Sequence, residues 1–309
     1  MNGFFNVYKP GGMTSHDVVA AVRRAARMQR VGHAGTLDPA AEGVLLVCVG
    51  PATRIVDRLM AARKRYRATI ELGATTTTDD ATGEVLERRD ASGVSREAVE
   101  AAIAGMVGRV LQVPPMYSAL KRGGTPLYRL ARKGIEIERE PREIEIYSLT
   151  LVDCVLPRFT VDVECGKGTY VRTIAHDLGE RVGCGAHLAH LVRTASGRFT
   201  ADGAVLLADL LAALGEGQWA DLLYPADEAL LDLPAVAVGE ENERRVETGS
   251  PWRPTASRHE PEPGALVRIY SSAGELLGLA EYDAARGHYQ PRKSLRVPRA
   301  GEAEADAAP

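Results

Sequence analysis

Apolar residues recur along the chain with helical and strand spacings, and each spacing predicts a type of element. Thr14 or Ser15 can cap a helix in which Val18, Val19 and Val22 repeat on one face. The same reasoning predicts further helices over residues 52–62, 95–105 and 169–183.

Strand patterns occur in two forms. Residues 44–50 form a continuous apolar run, which is typical of a strand buried on both faces. Residues 66–73 alternate apolar and polar side chains, as a half-buried strand does. Further strands are predicted over residues 3–9, 143–156 and 158–166. Long strands mixed irregularly with helices indicate an α+β fold.

The chain is predicted to divide near Leu233. We expect a catalytic domain over residues 1–232 and a small β-rich unit over residues 233–298, where short apolar segments alternate with turn residues. A unit of that size is only marginally stable alone. Residues 299–309 are acidic and alanine-rich, which predicts a disordered tail.

Composition excludes some classes of protein. The chain has 309 residues, 45% apolar and 26% charged, as is ordinary for a folded protein. No apolar stretch reaches about 18 residues, and the N-terminus lacks a secretory pattern, so we expect a cytoplasmic protein without a membrane span. The four cysteines form no C-x-x-C pair, so we expect no metal site.

Charge is unevenly distributed although the net charge is only −3. Six basic residues and one acidic residue lie between positions 54 and 67. Such a cluster indicates a surface for a polyanion, but solvated helix faces produce the same pattern.

A glycine-rich loop over residues 31–43 carries Asp38 directly before a proline. A carboxylate on a loop beside a buried strand is well placed for catalysis. Gly32, Gly35 and Gly43 would let the backbone approach a large ligand closely. An Asx turn before proline explains Asp38 equally well, so spacing alone leaves both interpretations open.

Two further segments combine polar groups. In residues 166–179, Tyr170 and Arg172 begin the predicted helix, where they can line a pocket or pair with a carboxylate. His176, on the same helix face as Arg172, fits ordinary surface polarity. Residues 113–134 combine prolines, a tyrosine, a lysine and paired glycines, which suits a loop around a polyanion or an ordinary connection.

Together these segments resemble the TruB family of tRNA pseudouridine-55 synthases. Four blocks occur in the family's order between about residues 3 and 200: FFNVYKPGGMTSHDVV, GHAGTLDPAAEGVL, PPMYSALKRGGTPLYRLAR and GTYVRTIAHDLGERVGCGAHLAHLVRTASGRF. The unit over residues 233–298 resembles the PUA-like domain of bacterial members in its position and strand content.

The resemblance implies an α+β pseudouridine synthase domain with a mixed, mainly antiparallel sheet, followed by a small β-rich PUA-like domain. It implies an isomerase that converts uridine to pseudouridine at position 55 in the T loop of tRNA. Base flipping and covalent catalysis by an aspartate would carry the reaction, without metal or cofactor. The implied partner is the T-arm stem-loop of tRNA, and we expect a monomer.

The family's motifs imply roles for single residues. Asp38 matches the nucleophile, which attacks ribose C1′ or base C6, and Arg172 matches the arginine that pairs with it. Tyr170 matches the tyrosine proposed to act on the C5 proton. His33 matches the histidine that fills the space left by the flipped base, and Tyr66 matches the tyrosine that stacks on that base.

Other residues are expected to contact or position the substrate. Lys9 matches the lysine of the opening motif, with a positioning role, and Leu191 matches a wall of the uracil pocket. Lys64 and Arg65, from the basic cluster, are predicted phosphate contacts whose loss would weaken RNA binding and flatten its salt dependence.

The sequence departs from the family pattern at two positions. Ala34 stands where many members have threonine, and Val192 stands where a block usually has its first arginine, which leaves Arg193 as the expected phosphate contact there. Two other functions stay open: an RNA-binding or chaperone protein that does not need Asp38, and a relative that acts on another RNA.

Overall fold

The structure is a computed structural model that describes residues 1–118, 120–131, 133–253 and 262–296. The predicted tail over residues 299–309 lies outside this part of the chain. The α-helices of the described residues are α1 (Ser15–Ala25), α2 (Val56–Ala61), α3 (Arg96–Ala104), α4 (Leu127–Ala131), α5 (Val171–Val182), α6 (Leu207–Glu216) and α7 (Glu240–Glu247). Short 3-10 helices cover Gly50–Ile55, Ala220–Leu222 and Ala226–Ala229.

Strands make up most of the remaining regular structure. The first nine are β1 (Gly3–Lys9), β2 (Val31–His33), β3 (Glu42–Val49), β4 (Lys64–Leu72), β5 (Ala74–Thr76), β6 (Val85–Arg88), β7 (Gly108–Gln112), β8 (Lys121–Arg122) and β9 (Thr125–Pro126). The others are β10 (Arg142–Val155), β11 (Arg158–Cys165), β12 (Ala186–Ser196), β13 (Phe199–Thr200), β14 (Val205–Leu206), β15 (Leu223–Pro225), β16 (Ala235–Ala237), β17 (Leu266–Tyr270), β18 (Leu276–Asp283) and β19 (His288–Ser294).

One large mixed sheet forms the frame of the molecule. Its main path runs β14-β1-β3-β12-β4-β11-β10-β7, and β2, β13 and β15 join at its side. Only the β1–β14 and β3–β12 pairs along this path are parallel. The predicted α+β class with a mainly antiparallel sheet is therefore confirmed.

Two apolar cores cover the sheet. Helices α3 and α5 pack over strands β4, β10, β11 and β12, where Ile70, Val161 and Ile174 are fully buried. Helices α1 and α6 pack over β1 and β3, where Val18, Val47 and Leu210 are fully buried. The strand β12 joins these two halves, because it pairs with β3 on one side and β4 on the other.

Local signals in the sequence account for several helix ends. Thr14 is the N-cap of α1 and forms a capping box with Asp17. Ser95 accepts a hydrogen bond from Ala98 N and so caps α3, as predicted. Helix α5 ends at Gly183, whose φ of 85° is the left-handed conformation that glycine adopts without strain.

Three predicted segments differ in detail. The predicted loop over residues 31–43 begins with the strand β2, which pairs with β3. The predicted helix over residues 52–62 begins as a 3-10 helix and becomes α-helical only at Val56. Residues 113–134 contain the small hairpin β8–β9 and helix α4.

A separate sheet of four strands, in the order β16-β17-β18-β19, forms the predicted β-rich C-terminal unit. Its own core includes Trp252, Val267 and Tyr289. A second apolar cluster joins this sheet to the catalytic part, with Ile55 and Leu230 on one side and Leu279 and Leu295 on the other. The exact boundaries predicted for the two domains stay predictions.

Among the described residues, no helix is long and apolar enough to cross a membrane.

Candidate active site

Asp38 lies in the loop between β2 and β3, and contacts from other elements fix the backbone on both sides of it. Ser15, at the start of α1, bonds with the neighbouring residue Leu37 in both directions: Leu37 N donates to Ser15 Oγ at 2.9 Å, and Ser15 Oγ donates to Leu37 O at 3.2 Å. On the other side, Gly12 N donates to Pro39 O at 2.9 Å. The Asp38 side chain remains 38% exposed, so a substrate can reach it.

Arg172, in the first turn of α5, binds Asp38 with two hydrogen bonds. Its Nε donates to Asp38 Oδ2 at 2.9 Å, and its Nη2 donates to Asp38 Oδ1 at 3.2 Å. The Arg172 side chain is only 5% exposed. A bidentate pair of this kind fixes the orientation of the carboxylate as well as its position.

The remaining N–H groups of Arg172 hold it against two loops. Nη1 donates to Thr78 O at 3.0 Å, and Nη2 donates to Tyr117 O at 2.8 Å. The Asp80 carboxylate lies 3.8 Å from Nε. Arg172 therefore connects the loop that carries Asp38, the turn over residues 76–82 and the loop that follows β7.

The turn over residues 76–82 is a part of the site that the motifs of the sequence did not include. Asp80 Oδ1 accepts hydrogen bonds from Thr78 Oγ1 at 2.7 Å and from Thr82 N at 2.9 Å. Thr76 Oγ1 donates to Asp80 O at 2.7 Å. The available signal was two adjacent acids among threonines, directly after a strand.

Tyr170 is the N-cap residue of α5, two positions before Arg172. Its backbone is held by Gln112 at the end of β7, which donates from Nε2 to Tyr170 O at 3.1 Å. Gln112 Oε1 also accepts from Tyr170 N at 2.9 Å. Burial raises the pKa of the Tyr170 hydroxyl, so the group is a neutral phenol near pH 7.

Tyr66 and Leu191 face the same apolar cluster as Leu37 of the catalytic loop. Leu191 is 7% exposed on β12, and Tyr66 is half-buried on the neighbouring strand β4. Burial raises the pKa of Tyr66. An apolar wall and an aromatic ring thus lie beside the loop that carries Asp38.

His33 ends the strand β2, five residues before Asp38. Its ring lies edge-on to that of His16, with 5.2 Å between the ring centroids. Burial lowers the pKa of His33 to about 4, so the ring is uncharged at physiological pH. Its Nδ1 is buried and has no hydrogen-bond partner among the described residues.

Comparison with protein families places this site in a known class. The model of the TruB family pseudouridylate synthase N-terminal domain matches residues 23–171, and that of the tRNA pseudouridylate synthase B C-terminal domain matches residues 172–231. A tRNA pseudouridine synthase B of Syntrophotalea carbinolica is 47% identical over 290 residues, which is 93% of this chain and 94% of that protein.

The chain belongs to the TruB family of pseudouridylate synthases.

Other TruB relatives are similar along most of the chain. A tRNA pseudouridine synthase B of Thiobacillus denitrificans is 43% identical over 295 residues, covering 96% of each chain. One of Geobacter sulfurreducens is 47% identical over 251 residues, covering 81% of this chain and 83% of that protein. The chain is therefore an isomerase of the pseudouridine synthase type.

Solved structures share the fold. A chain of a Cbf5-Nop10-Gar1 complex superposes with a TM-score of 0.70 at 25% identity, covering 96% of this chain and 85% of that chain. A chain of an H/ACA RNP bound to a substrate RNA containing 2'-deoxyuridine gives a TM-score of 0.71 at 24% identity, covering 96% and 86%.

Lys9 of this TruB protein contacts the backbone of the loop that carries Asp38. It is fully buried, and its Nζ donates to Met13 O at 2.6 Å, Pro10 O at 2.8 Å and Pro39 O at 3.2 Å. Burial lowers the pKa of the ammonium group to about 8. These contacts agree with the expected positioning role.

The two predicted phosphate contacts in the basic cluster, Lys64 and Arg65, differ in exposure. Lys64 is 6% exposed, and its Nζ donates to Leu59 O, Met60 O and Ala62 O at the end of α2. With three donors in use, the ammonium group has none left for a phosphate, which speaks against that prediction. Arg65 is exposed, but strand alternation directs it to the face of β4 opposite Tyr66.

Arg193 also differs from expectation. It was the expected phosphate contact in its block, but its side chain is 1% exposed and bonded to backbone carbonyl groups of the protein. Gly43, expected to leave space for a ligand, instead lets the backbone of Arg193 approach: a Cβ there would lie 2.3 Å from Arg193 O.

His176 makes a contact that its assignment to surface polarity did not include. Its Nδ1 lies 3.5 Å from Asp79 Oδ1, in the turn that holds Arg172. Burial raises the pKa of the Asp79 carboxyl. Within the described residues, no group of three or more His, Cys, Asp or Glu side chains is arranged to hold a metal ion.

Proposed function

We propose that this TruB-type tRNA pseudouridine synthase isomerises the uridine at position 55 in the T loop of tRNA, with Asp38 as its nucleophile. The observation that carries the proposal is the bidentate pair between the accessible Asp38 carboxylate and the buried Arg172. The two hydrogen bonds hold the exposed carboxylate in a fixed orientation toward a ligand.

The reaction breaks the C1′–N1 bond of uridine, rotates the base and joins C5 to C1′. Asp38 forms a covalent bond to ribose C1′ or to base C6 and is released when the new bond has formed, which divides a difficult step in two. The proton on C5 then leaves, and N1 takes up a proton. The Tyr170 hydroxyl is the proposed group at C5, because its backbone is fixed two residues from Arg172.

A uridine stacked inside the T loop must be flipped out before Asp38 can reach it, at a cost of about a few kcal/mol. In the proposal Tyr66 stacks on the flipped base, which contributes about 1–3 kcal/mol, and Leu191 lines the uracil pocket. The neutral ring of His33 fills the space that the base leaves, since an uncharged ring can lie against stacked bases without the large desolvation penalty of a charge.

The proposed partner is the T arm of tRNA, bound by a monomer. Lys9 acts through the catalytic loop and does not contact the RNA. The unit over residues 233–298 is proposed to be a PUA-like domain that contacts the tRNA arm away from the T loop.

Tritium release from C5-labelled uridine in an unmodified tRNA transcript tests the proposal. We expect release by the wild type and none by Asp38→Asn, which keeps the size of the side chain but lacks a nucleophilic oxygen anion. Asp153→Asn, at an exposed position of β10, is the matched control and should retain full activity. A transcript with cytidine at position 55 should release no tritium.

The binding arm of the experiment separates catalysis from RNA recognition. Filter binding should give Asp38→Asn nearly the wild-type affinity for tRNA. Turnover by Asp38→Asn would contradict the assignment of the nucleophile, and tight tRNA binding without any release by the wild type would favour an RNA-binding protein. Release from the transcript that lacks uridine 55 would contradict the proposed position.

A further inference from the structure

The catalytic loop over residues 34–41 lies between two strands but has few ladder bonds of its own. Its backbone carbonyl groups still need donors, because unpaired polar groups are costly in a protein interior. Ser15 and Lys9 supply donors next to Asp38. The carbonyl groups of Gly35 and Thr36, which precede Leu37, receive their donors from one buried side chain.

That side chain is Arg193, on β12. Its Nε donates to Val44 O at 2.6 Å, its Nη2 to Gly35 O at 3.1 Å and its Nη1 to Thr36 O at 3.4 Å. The guanidinium group therefore joins both ends of the loop: residues just before Asp38, and the strand β3 after it. Three different nitrogens of the planar fork bind the three carbonyl groups, and one ammonium nitrogen cannot occupy all three of these positions.

Two glycines of the loop are shaped to this arginine. Gly43 has a φ of +99°, and its backbone pairs with that of Arg193 in the β3–β12 ladder. Gly35 has a φ of +105°, and a Cβ there would lie 3.6 Å from Arg193 Nη1. Both positions have a backbone conformation that favours glycine, so Gly43 admits the backbone of Arg193 and Gly35 lies in contact distance of its guanidinium group.

The charge environment argues against a purely stabilising role. Among the described residues no carboxylate pairs with Arg193. Burial is the main cause that lowers the pKa of the nearby Lys9, His33 and Lys64, and the charge of Arg193 adds to this lowering. A buried cation without an acidic partner is destabilising relative to an apolar residue of similar size. Such groups are retained where a site needs a fixed geometry.

We propose that Arg193 is a positioning residue of the reaction: by binding the carbonyl groups of Gly35, Thr36 and Val44, it sets the loop so that Asp38 is in place for attack before RNA binds. The inference rests on the proposed function, since it assigns Arg193 to the same nucleophile. Arg193 does not contact the substrate, and neither Lys9 nor Ser15 reaches the carbonyl groups that it binds.

Arg193→Lys tests the inference, because it keeps the buried charge but replaces three separate donor nitrogens by one. Arg198→Lys is the matched control, since Arg198 lies at the turn of the same hairpin, half exposed, and pairs with Glu228. We expect the single-turnover rate of tritium release to fall about 10- to 100-fold in Arg193→Lys, as for a small misplacement of a reacting group. Its Kd for tRNA should stay within about threefold of the wild type, and the control should be unchanged in both.

Hydrogen exchange supplies a readout that does not depend on activity. Amides of residues 34–41 should exchange faster in Arg193→Lys than in the wild type, while those of β4 and β11 keep their rates. An unchanged turnover rate would overturn the inference, and so would faster exchange across the whole sheet, which would indicate general destabilisation. Hydrogen exchange tests the contact between Arg193 and the loop even if the wild type releases no tritium. The absence of release would contradict the proposed function and not this contact.

If Arg193→Lys does not fold, Gly35→Ala tests the same contact from the loop side. The added methyl group meets Arg193 Nη1 and strains a backbone with φ of +105°. We expect a slower single turnover at unchanged Kd and faster exchange confined to the loop. If this variant kept the wild-type rates of single turnover and of hydrogen exchange in the loop, the inference would be overturned.

Discussion

Three buried basic side chains donate hydrogen bonds to backbone carbonyl groups of the protein. Lys9 binds the loop after Asp38, Arg193 binds the loop before it, and Lys64 binds the end of α2. In the sequence, Lys64 is indistinguishable from its exposed neighbours Arg63 and Arg65. The number of basic residues in a cluster therefore exceeds the number of exposed basic groups that it presents.

Lys64→Met separates these roles. Because the change removes three hydrogen bonds at the end of α2, we expect the free energy of unfolding in urea to fall by about 1–3 kcal/mol. The slope of log Kd for tRNA against log salt should stay at the wild-type value, since no phosphate contact is lost. Arg65→Met, which removes an exposed charge, should leave stability unchanged, and a flatter salt slope in Lys64→Met would contradict the assignment.

Residue types in local motifs could be predicted, and the resemblance also supplied one pair of partners, but the contacts between distant segments could not be predicted. The resemblance supplied Asp38 and Arg172, and in the structure their side chains form an ion pair. Thr78, Asp80 and Gln112 escaped prediction because they act through contacts with segments far away in the chain. No local pattern reports such a contact.

At the scale of elements, α5 is fixed in place by its contact with β12. Gly179, in the middle of the helix, allows the backbone of the two elements to touch: a Cβ there would lie 2.1 Å from Ala186 N. Arg172 and Tyr170 belong to the same helix, so the close approach also sets their distance from the strand that carries Leu191.

Gly179→Ala should therefore destabilise the protein, although alanine is the better helix former. We expect a loss of about 1–3 kcal/mol or more from overpacking, measured by urea unfolding. Gly215→Ala, in α6 where no atom lies within 4 Å of the added Cβ, should stabilise by about 1 kcal/mol. Equal effects of the two changes would contradict the proposed contact.

Elements with strong internal patterns were predictable, and short ones were not. Helices α1, α3 and α5 have caps and a clear apolar face, and the paired strands β10 and β11 follow from their long runs. The strand β2 has three residues and exists because β3 offers it a partner. Its sequence alone contains no such information.

At the scale of the whole molecule, the C-terminal sheet is joined to the catalytic part by a shared apolar cluster and by polar contacts. Asn2 Nδ2 donates to Leu295 O at 2.7 Å, Arg54 Nη1 donates to Ser294 O at 2.8 Å, and Lys293 Nζ donates to Arg54 O at 2.7 Å. Because a unit of this size is marginal alone, it depends on this interface for part of its stability.

Leu230→Ala tests that dependence from the catalytic side. Leu230 is fully buried in the shared cluster, and its truncation should cost about 2–4 kcal/mol. In a Trp219→Phe background, Trp252 fluorescence reports on the C-terminal sheet alone. In the Trp219→Phe protein, we expect the unfolding transition seen by Trp252 fluorescence to coincide with that seen by circular dichroism. When Leu230→Ala is added, the fluorescence transition should come at a lower denaturant concentration than the circular dichroism transition.

The control for this experiment is Leu214→Ala, in the core between α1 and α6. It should lower both transitions together. Coincident transitions in Leu230→Ala would show that the C-terminal sheet does not depend on the interface.

The order of strands in the large sheet was beyond prediction from the sequence. The fold class followed from the mixture of long strands and helices, and the separate C-terminal sheet followed from its short apolar segments. The pairing of β1 with β14 and β15, by contrast, joins segments from opposite ends of the catalytic part. Nothing in the two sequences marks them as partners.

This pairing has a consequence for translation. One edge of β1 is covered early, because β3 is synthesised soon after it, but the other edge waits for the residues that pair with it: Val7 for Val205, and Gly3 for Pro225. At roughly 5–20 residues per second the delay is about 10–40 s. During that time the nascent chain carries an open, apolar strand edge, which is a template for wrong pairing. The ribosome therefore releases β1 long before β14 and β15, the strands that protect its second edge.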